Sequence, residues 1–378
     1  MKLSCGIVGL PNVGKSTIFS ALTRAKAEAA NYPFCTIDPN VGMAELADER
    51  LDFLASTFNP KRKIPAVATF VDIAGLIKGA SKGEGLGNKF LANIRETTVI
   101  AHVVRCFDDP DVQHVREDAK VEAAIDPVSD ILAVDFELAQ ADLDAIERRC
   151  EKAQRQARAL GKEEEKRLAS YFQAVDKVKP LLFDGKRAAM AELTTDEREA
   201  LSDLNLLTMK PEVFVCNVDE AALAAGGNDY TRAVQQVAEQ QGSDAIIVCG
   251  KMEAELAEID DEGDRRQLME GLGVKESALS SLVRTVYHLM GLATFFTAGA
   301  DECRAWTIMV GARAPEAAGV IHTDFQKGFI KAEAYSVDDL REYGSEAHIK
   351  EAGKIRQEGK DYVVQDGDVL FFKFNVAH

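Results

Sequence analysis

The octapeptide Gly9-Leu10-Pro11-Asn12-Val13-Gly14-Lys15-Ser16 fits G-x-x-x-x-G-K-[ST] without a substitution. This pattern works only where a strand runs through a tight loop into a helix, and the flanks supply both. Lys2 to Val8 is short and mostly apolar, as a buried parallel strand requires, and a helical pattern runs from Thr17 to Thr23. Gly9 and Gly14 let the backbone turn so that consecutive N–H groups converge; with the helix N-terminus they bind phosphate oxygens. Lys15 would neutralise β and γ phosphates. Ser16 would offer its hydroxyl to Mg²⁺, a hard ion that prefers oxygen. Asn12, Val13, Gly14, Lys15, Ser16 and Thr17 are the candidate phosphate-binding residues. A chance match in a glycine-rich turn is the competing reading, and the flanking strand and helix weigh against it.

The chain has 378 residues, enough for two or three domains. No charged-then-apolar leader opens it and no apolar run approaches a membrane span, so a cytoplasmic protein without membrane contact is expected. Seven cysteines without a C-x-x-C pair make neither a disulfide framework nor a zinc site, and six scattered histidines add no metal cluster. A net charge of −17 argues against indiscriminate nucleic-acid binding while leaving room for a local basic patch.

Past the first helix, Asn31 to Asn40 carries two prolines and reads as a loop. Thr36 within it is placed to reach Mg²⁺ when a γ phosphate is present, as a switch threonine does; an ordinary loop hydroxyl is the alternative. Ala66 to Asp72 reads as a strand ending in the Walker B aspartate. Asp72 would hold the Mg²⁺ shell, and Gly75 of the D-x-x-G sequence would bring a backbone N–H to the γ phosphate. Many GTPases follow that glycine with a water-orienting glutamine. Here the residue is Leu76, which cannot do that job. The glycine-rich Lys78 to Gly87 stretch resembles a second switch. Thr98 to Phe107 is another strand; its His102 reads as a core histidine, whereas His114 in the following loop could position water.

From Pro127 to about Asp203 the pattern becomes long helices. Ile131, Leu138 and Ala145 recur at heptad spacing and Leu168, Phe172, Val175 and Val178 form the return stripe, predicting an antiparallel coiled-coil hairpin turning near Gly161. Arg148, Lys152 and Arg155 share a face of its first arm. Glu212 to Cys216 then resumes the nucleotide fold and leads into Asn217-Val218-Asp219-Glu220. Guanine-specific enzymes carry N-K-x-D here, the aspartate accepting from guanine N1–H and the N2 amine. Val218 and Glu220 replace the lysine and aspartate, which weakens guanine selection. Cys249-Gly250-Lys251, after the strand Ala245 to Val248, reads as a loop beside the base. From about Ala278 the chain turns to short strand-like runs carrying Phe295, Phe296, Trp306, Tyr335, Phe371, Phe372 and Phe374, expected to be core residues of a small α+β domain. Lys350, Lys354, Arg356 and Lys360 are a candidate RNA contact, weighed against ordinary solvation.

GLPNVGKST, YPFCTIDPN, FVDIAGLIKGASKGEGLGNKFL, FFTAGADECRAW, IHTDFQKGFIKAE and GKDYVVQDGDVLFFKFNV together resemble the YchF, or Obg-like ATPase, family from end to end. The resemblance implies an α/β fold: a Ras-like P-loop NTPase domain (1–126 and 204–277), an inserted coiled-coil hairpin (127–203), and a C-terminal TGS domain of β-grasp, ubiquitin-like fold (278–378). It implies hydrolysis of ATP in preference to GTP and binding to ribosomes, with the large subunit and RNA as expected contacts of a monomer. It further implies a hydrolytic role for His114, beside Lys15 and Gly75, and K⁺ at Asn12. Two other readings stay open: a translational GTPase, and an RNA or ribosome adaptor in which hydrolysis is incidental.

Overall fold

The computed structural model describes residues 3–24, 40–73, 86–109, 125–156, 162–259, 261–271, 274 and 276–375. Its strands are, in chain order, β1 Cys5–Val8, β2 Val41–Glu45, β3 Arg62–Ile64, β4 Val67–Asp72, β5 Val99–Arg105 and β6 Glu212–Asn217. They continue with β7 Asp244–Val248, β8 Leu292–Thr297, β9 Glu302–Met309, β10 Phe329–Ser336, β11 Arg356–Glu358 and β12 Asp368–Phe374. The chain divides into two compact units, residues 1–43 with 69–282 and residues 44–68 with 283–378.

The sheet of the first unit has the order β2-β4-β1-β5-β6-β7. β1 lies parallel between β4 and β5, and β6 extends the parallel ladder to β7. β1, β5 and β6 are buried at every position, the near-continuous apolar run expected of strands covered on both faces. Parallel order aligns the carboxyl ends of β1, β4, β5, β6 and β7, where ligands of open α/β sheets bind.

Two long helices, Pro127–Gln156 and Lys162–Phe183, interrupt this sheet in sequence. Val134 and Leu138 of the first pack with Val8 and Ile100 of the sheet. Further along, Leu143 and Ile146 meet Tyr171, Val175, Val178 and Leu182 of the second helix. The turn near Gly161 and the side chain of Arg155 lie outside the described residues; Arg148 and Lys152 are exposed.

A buried charge network joins these helices to the sheet. Arg187, just past the second helix, meets Asp135 of the first at 3.2 Å and Glu212, the first residue of β6, at 2.9 Å. His102 Nδ1 of β5 lies 3.1 Å from Glu212, and Gln241 Nε2 donates to Asp135 at 2.9 Å. Burial and the charge of Glu212 hold the Asp135 carboxyl above its ordinary range. Burial also pushes Glu212 upward, but Arg187 and His102 overcome it and leave Glu212 below that range. Asp142 on the same helix accepts from the Leu207 and Thr208 amides at 2.9 and 2.8 Å, which fixes the chain just before β6.

The second unit carries a sheet of order β11-β10-β12-β8-β9-β3. The helix Ala314–Ile321 covers one face, burying Ala314, Ala317 and Ala318 against Phe295, Phe329, Leu370 and Phe372. Two sequence expectations need correction. Ala278–Leu289 is a helix, because its apolar residues recur at helical spacing, and the strands begin only at Leu292. Phe371, expected in the core, is 60% exposed, because alternation along β12 turns it away from the face that buries Leu370 and Phe372.

Candidate nucleotide site

β1 ends at Val8, and the loop that follows reaches the helix Lys15–Arg24 through backbone that ordinary residues rarely adopt: Gly9 has φ 148°, Asn12 62° and Gly14 97°. The glycines are also sterically required. A Cβ on Gly9 would come within 2.4 Å of the Val103 carbonyl oxygen, and one on Gly14 within 2.2 Å of Asn217 Nδ2.

Asn217 makes that approach because it straps two segments together. Its Nδ2 donates to the Val13 carbonyl at 2.9 Å, while its Oδ1 accepts from the Gly250 amide at 3.0 Å. The side chain is buried, so both bonds are shielded from water. The asparagine of the base-reading stretch thus holds the P-loop from beneath and fixes the start of the segment after β7. That segment differs from its sequence expectation. Cys249 is the N-cap residue and Gly250 opens the helix Gly250–Glu258, so only the junction is loop.

The Lys15 ammonium donates to the Leu10 carbonyl at 2.7 Å across the loop mouth. Burial pulls its pKa down to about 8 against the attraction of Asp72. A cation this desolvated is stabilised by any anion placed before it. Ser16 Oγ donates to Asp72 Oδ2 at 3.3 Å, which brings together the hydroxyl and carboxylate expected at a Mg²⁺ position. Thr17 follows on the first turn of the helix. Thr36, Gly75, Leu76 and His114 lie outside the described residues.

Because the folded protein binds its Lys15 proton less tightly than the unfolded chain, this residue's contribution to stability rises with pH between about 8 and 10.5. Phosphate at the loop mouth reverses the depression. Nucleotide binding near pH 9 is therefore expected to take up a proton, measured calorimetrically as a dependence of the binding heat on the buffer's ionisation enthalpy. Equal heats in all buffers would contradict the desolvated state of Lys15.

Val218 is buried in the core with Phe214 and Val234 and presents nothing to a base. Asp219 caps the next helix by accepting from the Ala222 amide at 2.7 Å. The Glu220 carboxylate forms an exposed ion pair with Lys251 at 3.0 Å, which raises the Lys251 pKa. No local pattern in the sequence pairs Lys251 with a carboxylate. The available signal was topological: β6 and β7 are parallel neighbours, so the segments after them lie side by side and opposite charges there can meet.

A family model described as 50S ribosome-binding GTPase matches residues 4–135, and the YchF-GTPase_C model matches residues 292–375. Two relatives named ribosome-binding ATPase YchF resemble the chain over the full length of both partners. That of Haemophilus ducreyi is 50% identical over 376 residues, and that of Bacillus subtilis 47% over 378. The solved structure of the Schizosaccharomyces pombe YchF GTPase superposes with a TM-score of 0.86 at 36% identity, covering 98% of this chain and 97% of that one. With full-length identity of this order and a P-loop unit of matching architecture, the chain belongs to the YchF family of P-loop nucleotide hydrolases.

Proposed function

We propose that this protein is a ribosome-binding ATPase that hydrolyses ATP to ADP and phosphate and changes its ribosome association with nucleotide state. The relatives' names support the ribosome and ATP. The observation that carries the base assignment is the Glu220–Lys251 pair: the carboxylate at the guanine-reading position already has a cationic partner, and the lysine that would cover the ring is replaced by buried Val218.

The chemistry is attack by water on the γ phosphorus. Lys15, relieved of its bond to Leu10, would follow charge onto the β and γ oxygens, and amides of the P-loop would hold those oxygens in line. Ser16 and Asp72, with Thr36, would hold Mg²⁺, and their oxygen donors suit that ion. When bound, Mg²⁺ neutralises phosphate charge. The Gly75 amide would face the γ phosphate, His114 would assist the attacking water in place of a glutamine, and Asn12 would orient K⁺. Cys249 and Gly250 would border the base. The interrupting helix pair serves as a coiled-coil hairpin and residues 278–378 include a TGS domain in this reading, which places the protein's work in the cytoplasm on the large subunit. Among the described residues no helix is long and apolar enough to cross a membrane.

A translational GTPase is the second reading, favoured by the fission-yeast relative, which is named a YchF GTPase. Co-sedimentation with purified ribosomes in ATP, ADP and a non-hydrolysable ATP analogue tests the proposal. Pelleting is expected to differ among the three, with ATP turnover measurable on ribosomes. Identical pelleting in all three, unaffected by Lys15→Ala, would instead support the adaptor.

A further inference from the structure

A cavity of about 220 Å³ opens at the amino ends of β5 and β6, the end of the parallel sheet opposite the P-loop. Thr98 and Pro211, which precede the two strands, line it. Leu201, Leu206 and Met209, from the helix Thr195–Leu201 and the turns that lead into β6, give it apolar walls. Its charges have one sign. Among the described residues no carboxylate side chain lines it, although the chain has 62 acidic residues against 45 basic ones. Arg198 lines it, is exposed, and has neither a hydrogen-bond nor an ion-pair partner among the described residues. The Lys210 ammonium donates to the carbonyls of Arg95 and Thr97 and to Asn205 Oδ1. Burial, with the charge of Arg95, pulls its pKa down to about 8, so an anion nearby would stabilise it. Thr98 Oγ1 is shielded from water without a hydrogen-bond partner, which costs free energy until a polar ligand atom reaches it.

A cavity of this size admits a body somewhat larger than benzene. Inorganic phosphate would leave the apolar walls uncovered, and a neutral hydrocarbon would bury them without answering Arg198. A peptide strand would find no ladder, because β5 and β6 are interior strands paired on both sides. We propose that this cavity binds a small apolar carboxylate, its carboxylate held by the Arg198 guanidinium, its hydrocarbon against Leu201, Leu206 and Met209, and the Thr98 hydroxyl donating to it. Arginine suits that role because its planar fork matches the two carboxylate oxygens. The site goes beyond the nucleotide chemistry and shares no residue with it: β5 and β6 begin at the cavity, and β6 ends at Asn217 under the P-loop.

The test titrates the full chain, saturated with Mg²⁺ and ADP so that the P-loop is occupied, with para-trifluoromethylbenzoate followed by fluorine relaxation. Saturable binding is expected with a Kd of about 1 mM, ordinary for a ligand of this size. The neutral para-trifluoromethylbenzyl alcohol should bind about tenfold more weakly, and Arg198→Gln should weaken the acid by a similar factor. Thr98→Val, which replaces the hydroxyl by a methyl of similar shape, should weaken it about fivefold without lowering the thermal midpoint of the ligand-free protein. ATP turnover should be unchanged in both variants, which also reports that each one folds. Absence of saturation up to about 10 mM overturns the proposal. So does equal affinity for acid and alcohol, or an affinity for the acid that neither variant lowers, since the acid would then bind elsewhere.

Discussion

Replacing Lys15 with Met is expected to slow single-turnover ATP hydrolysis by roughly 100- to 1,000-fold, the effect of removing one preorganised donor from a developing oxyanion. The same change should leave the thermal midpoint of the nucleotide-free protein unchanged or slightly raised. That second outcome follows from the state of Lys15 in the free protein: the ammonium is buried, its pKa is depressed to about 8, and the attraction of Asp72 offsets only part of the desolvation. A methionine keeps the stem and removes the charge. Activity and stability therefore move in different directions, which separates a catalytic role from a structural one. Near-parental turnover with intact nucleotide binding would contradict the assignment.

Arg187→Met is expected to act in the opposite sense, costing about 3–5 kcal/mol of unfolding free energy. Arg187 is the shared cation for two buried carboxylates, Asp135 and Glu212, and its Nη2 also donates to the Lys210 carbonyl at 2.9 Å. Removing it leaves like charges close together in low dielectric. Replacing all three by apolar residues, as Arg187→Met/Asp135→Leu/Glu212→Leu, should recover part of the loss, because the penalty comes from unpaired charge rather than from a missing attraction. Chemical denaturation of the single and triple variants measures both. A single-variant loss below about 1 kcal/mol would mean that water reaches the carboxylates. The network also bears on function by position: Glu212 begins β6 and Asn217 ends it, so the strand anchored to the helices at one end straps the P-loop at the other.

Features that depend on neighbours in sequence were legible before any fold was known. The P-loop was one of them, because two glycines, a lysine and a serine at fixed spacing meet a local backbone requirement, and positive φ at Gly9 and Gly14 meets it. The long helices were another, because Leu138, Val175 and Val178 repeat at helical period and are buried. Long-range pairings were not legible. Arg62 and Glu302, on β3 and β9, are partners far apart in sequence, and through this pairing residues 44–68 group with 283–378. Arg187, Asp135, Glu212 and His102 come from four separate stretches, and no local pattern marks them as one cluster. Phe371 eluded the sequence for a different reason: Val369-Leu370-Phe371-Phe372 is an unbroken apolar run, and only strand register shows which of its faces is covered.

Whether Glu220, paired with Lys251, defines an adenine-preferring site is decided by calorimetric titration of nucleotide-free protein with ADP and with GDP in Mg²⁺ and K⁺ buffer. Tighter binding of ADP is expected, since the Glu220 carboxylate is engaged by Lys251 and Val218 is buried. Tighter binding of GDP would show that the carboxylate leaves Lys251 to read guanine, and would return the protein to the GTPases.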